Sequence, residues 1–192
     1  VVGNRLVPIE SFGMHTMSIG NLVDENDAVI WRGPMVHQAL EQLLRDTDWP
    51  GGDIMIIDMP PGTGDTQLSI SQLCELTGTV IVSTPQDVAL IDAVKAAKMF
   101  TKVEIDVLGI VENMSFFACP KCGEETPIFS RYGAEETSKK IQAPFLGAIP
   151  IELEVRKGGD EGKPLMASNL DSPASMAFKN IADNLVKVLE EG

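Results

Sequence analysis

The chain has 192 residues, enough for one well-buried domain, and 44% of them are hydrophobic and 22% charged. Its formal net charge of −13, with 28 acidic and 15 basic residues, argues against nucleic acid or an anionic membrane surface as a partner. No apolar run has the length of a bilayer span, and the first residues lack the pattern of a secretory signal. Three cysteines are too few for a disulfide framework, which predicts a reducing compartment.

The first half of the chain predicts strands and helices in alternation. A short strand closed by glycine is predicted at 14–20, and a helix that begins at a proline is predicted at 34–49. The apolar run 54–57 is short, continuous and partly β-branched, which predicts a buried strand. A second helix is predicted at 66–76, stopped by Gly78.

The second half of the chain continues the alternation. The predicted strands lie at 79–84, 106–114 and 144–150, and the predicted helices at 87–103, 133–142 and 172–191. Alternating apolar strands and helices are typical of parallel strands with helices on both faces. The predicted fold class is therefore α/β, a doubly wound, mostly parallel sheet, in a single domain that covers residues 1–192.

The stretch "DMPPGTGD" has the composition of a phosphate-binding turn. Asp58 would lie at the carboxyl end of a strand, where open α/β sheets place their ligands, and such an aspartate can order the water shell of Mg²⁺. Gly62 and Gly64 let backbone amides approach an anion closely, and the next helix adds a positive dipole end. The alternative is a tight turn between strand and helix, capped by Asp65.

A glycine-rich loop that ends in lysine and a hydroxyl residue is the usual partner of such a turn. The nearest match, "GGDEGKP" at 158–164, has the wrong glycine spacing and a proline where the hydroxyl is required. We reject that match, so these residues do not predict a complete phosphate site.

Cys119 and Cys122 form a C-x-x-C pair in a segment that covers about 115–130. Such a knuckle points two thiolates at one centre, as zinc and iron–sulfur sites require. A metal site needs further ligands, and a symmetric dimer would supply the same pair again. A structural zinc knuckle and a redox dithiol are the alternatives. Cys74 lies in a predicted helix, where it is interpreted as a small buried residue.

Six stretches of this chain follow one another as they do in one protein family: "MSIG", "VIWRGPMV", "DMPPGTGD", "VIVSTPQDVALIDA", "LGIVENMSFFACPKCG" and "PFLGAIP". Along nearly its whole length the chain resembles the Mrp family of iron–sulfur cluster carrier and assembly P-loop ATPases, which are related to the MinD-type ATPases. The resemblance implies a homodimer that holds a labile [4Fe–4S] cluster on Cys119 and Cys122 of both chains. It also implies cluster transfer to apoprotein clients, coupled to the binding or hydrolysis of ATP with Mg²⁺.

The resemblance also assigns roles to individual residues. Asp58 matches the aspartate on the Mg²⁺ side, Asn113 matches the residue that reads the adenine base, and Pro150 lies where backbone lines the base pocket. The switch that senses the γ-phosphate matches four residues in a row, Gly62, Thr63, Gly64 and Asp65.

Members of that family begin with a glycine-rich, lysine-bearing P-loop, which would lie before Val1. We therefore expect residues 1–192 alone to lack ATPase activity and to be prone to aggregation. The expected compartment is the cytoplasm, with the mitochondrial matrix as the alternative. The rival function is a non-enzymatic metal-binding or assembly module.

Overall fold

The computed structural model describes residues 5–22, 33–60, 64–119, 121–130 and 132–191, with only the backbone of residues 33, 34 and 65. By its internal contacts the chain divides into two compact units, Val1–Glu75 and Leu76–Gly192. The segment at about 115–130 that carries the cysteine pair lies within the second unit. The single domain over residues 1–192 stays a prediction.

The first unit begins with a hairpin of two short strands. Strands β1 (Ile9–Ser11) and β2 (Met14–Thr16) pair antiparallel. The strand predicted at 14–20 ends earlier than expected, because a 3₁₀ turn follows at Ile19–Asn21. In this turn the Ser18 hydroxyl accepts a hydrogen bond from the amide of Gly20. A serine that bonds the backbone two residues ahead favours a turn over a strand.

Helix α1 (Gly33–Glu41) continues into a π-helical turn at Gln42–Asp46. The helix predicted at 34–49 ends early because Thr47 turns to an extended conformation and forms a parallel bridge with Leu6. The amide of Asp48 donates to the carbonyl of Leu6 at 2.8 Å. Helical periodicity cannot reveal such a pairing with a distant segment.

The buried strand predicted at 54–57 is wrong. The segment is irregular, and Ile54 and Ile56 are 72% and 88% exposed. No strand among the described residues pairs with it. A short apolar run becomes a strand only where a neighbouring strand satisfies its backbone and other elements cover its side chains. Helix α2 (Asp65–Leu73) follows and is shorter than the helix predicted at 66–76.

The second unit contains a parallel sheet in the order β3–β4–β7. Its strands are β3 (Thr79–Ser83), β4 (Val107–Glu112) and β7 (Phe145–Ala148), and the hairpin strands β5 (Phe117–Ala118) and β6 (Glu125–Thr126) lie between β4 and β7 in the chain. Its helices are α3 (Asp87–Lys102), α4 (Gly133–Ile141), α5 (Leu153–Glu161), α6 (Leu165–Ser168) and α7 (Pro173–Glu191). The strands and helices predicted for this half are confirmed, whereas α5, α6 and the hairpin were not predicted.

Helices cover both faces of this sheet. Along β4, Ile110 packs among residues of α3 and α4, whereas the next residue, Val111, packs among residues of α6 and α7. Successive side chains of a strand point to opposite faces, so this alternation places one helical layer on each side. The predicted doubly wound α/β class is confirmed.

The rejected P-loop match lies at the end of α5. Gly162 caps that helix in the left-handed conformation, and the amide of Lys163 donates to the carbonyl of Gly158 at 2.8 Å. The end of a helix presents carbonyl oxygens, which repel a phosphate. Among the helices that the structure describes, none is both long and apolar enough to cross a membrane.

Candidate functional site

The carboxyl ends of β4 and β7 form one edge in the second unit. The amide of Ile149 donates to the carbonyl of Glu112 at 2.8 Å, and the amide of Ser115 donates to the carbonyl of Ile149 at 3.0 Å. These two bonds bring Asn113 and Pro150 to the same edge of the sheet. The amide of Asn113 also donates to the carbonyl of Ser83 at the end of β3.

Asn113 is half-buried, and Pro150 is buried. The Oδ1 of Asn113 accepts a hydrogen bond from the amide of Met114 at 2.9 Å. Met114 has a φ of 56°, in the left-handed region that non-glycine residues seldom adopt. The asparagine side chain therefore stabilises a sharp change of direction just after β4.

The two cysteines of the C-x-x-C pair lie at the tip of the hairpin formed by β5 and β6. The amide of Cys119 donates to the carbonyl of Glu124 at 2.9 Å, and the amide of Gly123 donates to the carbonyl of Cys119 at 2.8 Å. Gly123 has a φ of 75°, which glycine adopts without strain. The amide of Ile151 donates to the carbonyl of Phe116 at 2.7 Å, so the base of the hairpin is joined to the chain just after β7.

The thiol of Cys119 is half-buried and that of Cys122 is exposed. Backbone hydrogen bonds from Lys121 and then from Cys122, together with the Cys122 side chain, lower the pKa of Cys119 below its ordinary value. Amides that donate to sulfur stabilise the thiolate, which is the form that binds metals. Two thiols at a hairpin tip, one of them with a lowered pKa, suit a metal-binding knuckle.

We expect Cys119 in the metal-free protein to react faster with iodoacetamide near neutral pH than Cys74 does. Burial raises the pKa of Cys74, whereas the pKa of Cys119 is lowered, so the thiolate of Cys119 forms at lower pH. Mass spectrometry of tryptic peptides after timed labelling between pH 6 and 9 measures this difference, and cleavage after Lys121 separates Cys119 from Cys122. If the labelling rate of Cys119 rises at the same pH as that of Cys74, the expectation is contradicted.

The part of the chain that the structure describes offers few side chains that could hold a metal ion together. Within the described ranges, no three histidine, cysteine or acidic side chains gather in a group that could hold a metal ion. Cys74 lies at the end of α2, in the first unit, and its thiol donates to the carbonyl of Ile70. Cys119 and Cys122 therefore offer two thiolates, half of a four-thiolate site.

Glu112 is a site residue that the sequence reasoning missed. It ends β4 directly before Asn113, and only 1% of it is exposed. Its Oε2 accepts from the amide of Ala134 at 2.8 Å, and its Oε1 accepts from the hydroxyl of Ser115. The available signal was an acidic residue at the end of an apolar strand, the same signal that singled out Asp58.

The predicted phosphate residues belong to the first unit. Asp58 is exposed in the irregular segment, and Gly64 precedes Asp65, the first residue of α2. Free amides and a positive dipole end occur at such a helix start. Gly62 and Thr63 lie outside the described residues. The roles assigned to these four residues and to Asp58 stay predictions.

Comparison with known proteins identifies the family. The model of the ParA family described as "NUBPL iron-transfer P-loop NTPase" matches residues 1–186. The chain belongs to this family. The NUBPL-type iron–sulfur cluster transfer protein of Dictyostelium discoideum is 51% identical over 97% of this chain, and the iron–sulfur cluster carrier protein of Escherichia coli K12 is 46% identical over 97% of it. These family members confirm the resemblance drawn from the sequence motifs.

The chain spans 58% of the Dictyostelium relative's length and 51% of the Escherichia coli relative's length. Among solved structures, a nucleotide-binding protein of Archaeoglobus fulgidus in complex with ADP matches with a TM-score of 0.73 at 33% identity, over 91% of this chain and 67% of its own. The cell division ATPase MinD of Pyrococcus furiosus matches with a TM-score of 0.56 at 22% identity, over 84% of this chain and 63% of its own. The second likeness supports the P-loop NTPase fold alone.

Proposed function

We propose that the protein is an iron–sulfur cluster carrier that receives a [4Fe–4S] cluster as cargo and passes it to apoproteins. The observation that carries this proposal is the cysteine knuckle: two thiols at an exposed hairpin tip, one with a lowered pKa. Relatives that are 46–51% identical are named as iron–sulfur cluster carrier or transfer proteins, which supports the same assignment.

The cargo would be shared between two copies of the chain. A [4Fe–4S] cluster takes four cysteine thiolates, and Cys119 and Cys122 supply two. A two-fold axis that passes beside the hairpin tip would place the same pair opposite itself and complete the set. The exposure of Cys122 supports this arrangement, because two tips can approach without other parts of the hairpin intervening.

Cluster release would proceed by ligand exchange. Each iron would exchange one carrier thiolate for one thiolate of the acceptor. The proton that the acceptor thiol loses would pass, directly or through water, to the released carrier thiolate, and no electron would be transferred. Ligands held at a tip of two short strands are accessible to an incoming acceptor. A carrier needs this accessibility.

Nucleotide would bind with the residues that the family resemblance singles out. We infer that Asp58 orders the water shell of Mg²⁺ and that the segment Gly62, Thr63, Gly64 and Asp65 senses the γ-phosphate. The backbone amides at the start of α2, where Gly64 and Asp65 lie, support an anion-binding role. Asn113 and Pro150 would contact the adenine base, since an amide side chain offers both donors and acceptors and both residues lie at one sheet edge. The ADP complex of the Archaeoglobus fulgidus protein supports nucleotide binding in this fold.

A reducing compartment suits exposed thiols, and we propose the cytoplasm, with the mitochondrial matrix as the alternative. A relative from Arabidopsis thaliana, 48% identical over 97% of this chain, is named as a mitochondrial iron–sulfur protein required for NADH dehydrogenase. The missing ATPase activity and the aggregation expected of residues 1–192 alone stay predictions.

Anaerobic reconstitution of the intact protein with iron and sulfide tests the proposal. We expect a brown protein with about four irons and four sulfides per two chains, and a dimer in analytical ultracentrifugation. Mixing it with an apo-enzyme that needs a [4Fe–4S] cluster should restore that enzyme's activity. A colourless monomer that holds one zinc per chain and restores nothing would refute the carrier and favour a structural zinc knuckle.

A further inference from the structure

Glu112 is a carboxylate with almost no access to water. Burying a charged group is costly unless hydrogen bonds replace its hydration. Both oxygens of Glu112 have such bonds, one from the hydroxyl of Ser115 and one from the amide of Ala134. These two partners are themselves buried, at 3% and 0% exposure.

The two partners of Glu112 lie at opposite ends of the cysteine segment. Ser115 precedes β5, and Ala134 is the second residue of α4, so the carboxylate spans 22 residues along the chain. The amide of Ala134 belongs to the first turn of a helix, where amides lack a partner within the helix and an acidic group is favourable. Glu112 thus joins the entrance and the exit of the segment that carries Cys119 and Cys122.

Strained backbone flanks the same segment. Met114 and Tyr132 have φ values of 56° and 66°, in the left-handed region that non-glycine residues seldom adopt. Such conformations persist where surrounding contacts hold them. Gly133 follows, and a Cβ there would lie 2.6 Å from Cδ1 of Leu90 and 3.0 Å from the carbonyl oxygen of Pro85. The start of α4 therefore packs closely against the turn before α3 and against the first part of α3.

We propose that Glu112 is a positioning residue for the cysteine hairpin. Its carboxylate ties both ends of the hairpin segment to the end of β4, which orients the Cys119 and Cys122 thiols without contacting their ligand. Because Asn113 is the next residue, the same tie links the thiols to the edge where we place the adenine base. The inference rests on the proposed function in one respect: it takes Cys119 and Cys122 to be metal ligands.

Cobalt(II) titration of the intact, reduced protein tests this inference. The visible absorption of cobalt reports both affinity and the number of thiolates bound in a tetrahedral site. Glu112→Gln removes the negative charge: the amide oxygen can still accept from Ala134 and the NH2 group can donate to the Ser115 hydroxyl, so two charge-assisted hydrogen bonds become two weaker neutral ones. Partners that hydrogen-bond directly to metal ligands contribute about 10- to 100-fold to affinity; Glu112 acts one step further from the cysteines, so we expect a loss of up to about tenfold.

Glu152→Gln is the matched control. The Oε2 of Glu152 accepts from the amide of Ala174 at 3.0 Å, again across 22 residues and again at a helix start, but its segment contains no cysteine. We expect this variant to change the melting temperature without changing cobalt affinity. If Glu112→Gln is destabilised but binds cobalt as the wild type does, Glu112 is only structural and the proposal is overturned.

If Glu112→Gln fails to fold, Ser115→Ala tests the positioning role of Glu112 instead. It removes one bond to the carboxylate and leaves the bond from Ala134, and we expect a smaller loss of cobalt affinity in a folded protein. Unchanged affinity in that variant would overturn the proposal. Cobalt binding does not depend on cluster transfer, so a wild type that binds cobalt through both cysteines but transfers no cluster would refute the proposed function alone.

Discussion

Replacing Cys119 and Cys122 together with serine is expected to abolish cluster loading, leaving less than about a tenth of the wild-type iron after reconstitution. A thiolate binds iron, whereas a serine hydroxyl stays protonated at neutral pH and is a poor ligand for a [4Fe–4S] cluster. Because each chain supplies two of the four thiolates in the proposed dimer, the double variant removes all of them. Iron and sulfide analysis, together with the charge-transfer absorption in the visible range, measures the effect.

Cys74→Ser is the control for this experiment. The thiol of Cys74 donates to the carbonyl of Ile70 at 3.4 Å at the end of α2, and a hydroxyl can make the same bond. We expect this variant to load the cluster like the wild type. If loading survives in the double variant, Cys119 and Cys122 are not the ligands and the proposed site is refuted. If loading also falls in Cys74→Ser, Cys74 is a ligand instead.

The largest expected loss of stability follows from Leu146→Ala in β7. Leu146 is 1% exposed, and its side chain occupies the space above Gly109, where a Cβ would lie 2.5 Å from the Cγ of Leu146. Truncating a buried leucine removes its transfer free energy and leaves a cavity, which together cost about 2–5 kcal/mol. We expect the midpoint of urea unfolding to fall accordingly with an unchanged slope.

Leu170→Ala makes the same chemical change at a residue that is 65% exposed, in the turn before α7. Substitutions at such positions usually change the free energy of unfolding by less than about 0.5 kcal/mol. If both variants unfold at the same urea concentration, Leu146 does not belong to a tightly packed core, and the assigned layering of the sheet is wrong.

The elements of the second unit were predictable because their signals are local. The strands β3 and β4 are continuous apolar runs, as expected for strands covered on both faces, and α3 begins with an acidic and ends with a basic residue. These features depend on near neighbours in the chain, so the predicted bounds agree with the observed ones within one or two residues at most ends.

The failures in the first unit have a different origin. The run 54–57 has the composition of a buried strand, but among the described residues it has no strand beside it and its side chains are exposed. The helix predicted at 34–49 ends where Thr47 pairs with Leu6. Whether a segment elsewhere in the chain pairs with these residues decides both outcomes, and the local sequence does not contain that information.

The sequence singled out some residues of the candidate site, but it missed Glu112 and could not predict how the residues are arranged. The C-x-x-C spacing identifies Cys119 and Cys122, yet the strands β5 and β6 that flank them have two residues each, too short for any alternation to be visible. Asn113 and Pro150 lie at the same sheet edge because β4 pairs with β7, and the register of this pairing shifts between Ile110 and Val111. A register irregularity of this kind is set by packing in three dimensions.

The tie made by Glu112 also has a consequence for chain entropy. Once both ends of the cysteine segment are fixed, the conformational cost of the loop between them depends only on the logarithm of its length, and a doubling costs about 0.6 kcal/mol. Residues added or removed in the connection from β6 to α4, around Ile128, therefore cost the sheet little, whereas a change of length at Glu124 would break the bond that its carbonyl accepts from the amide of Cys119. The ends are different, since a shift of one residue at Ser115 or Ala134 would leave a buried carboxylate oxygen without its donor. The connection from β6 to α4 can thus vary in length while both ends of the cysteine segment stay fixed to the end of β4.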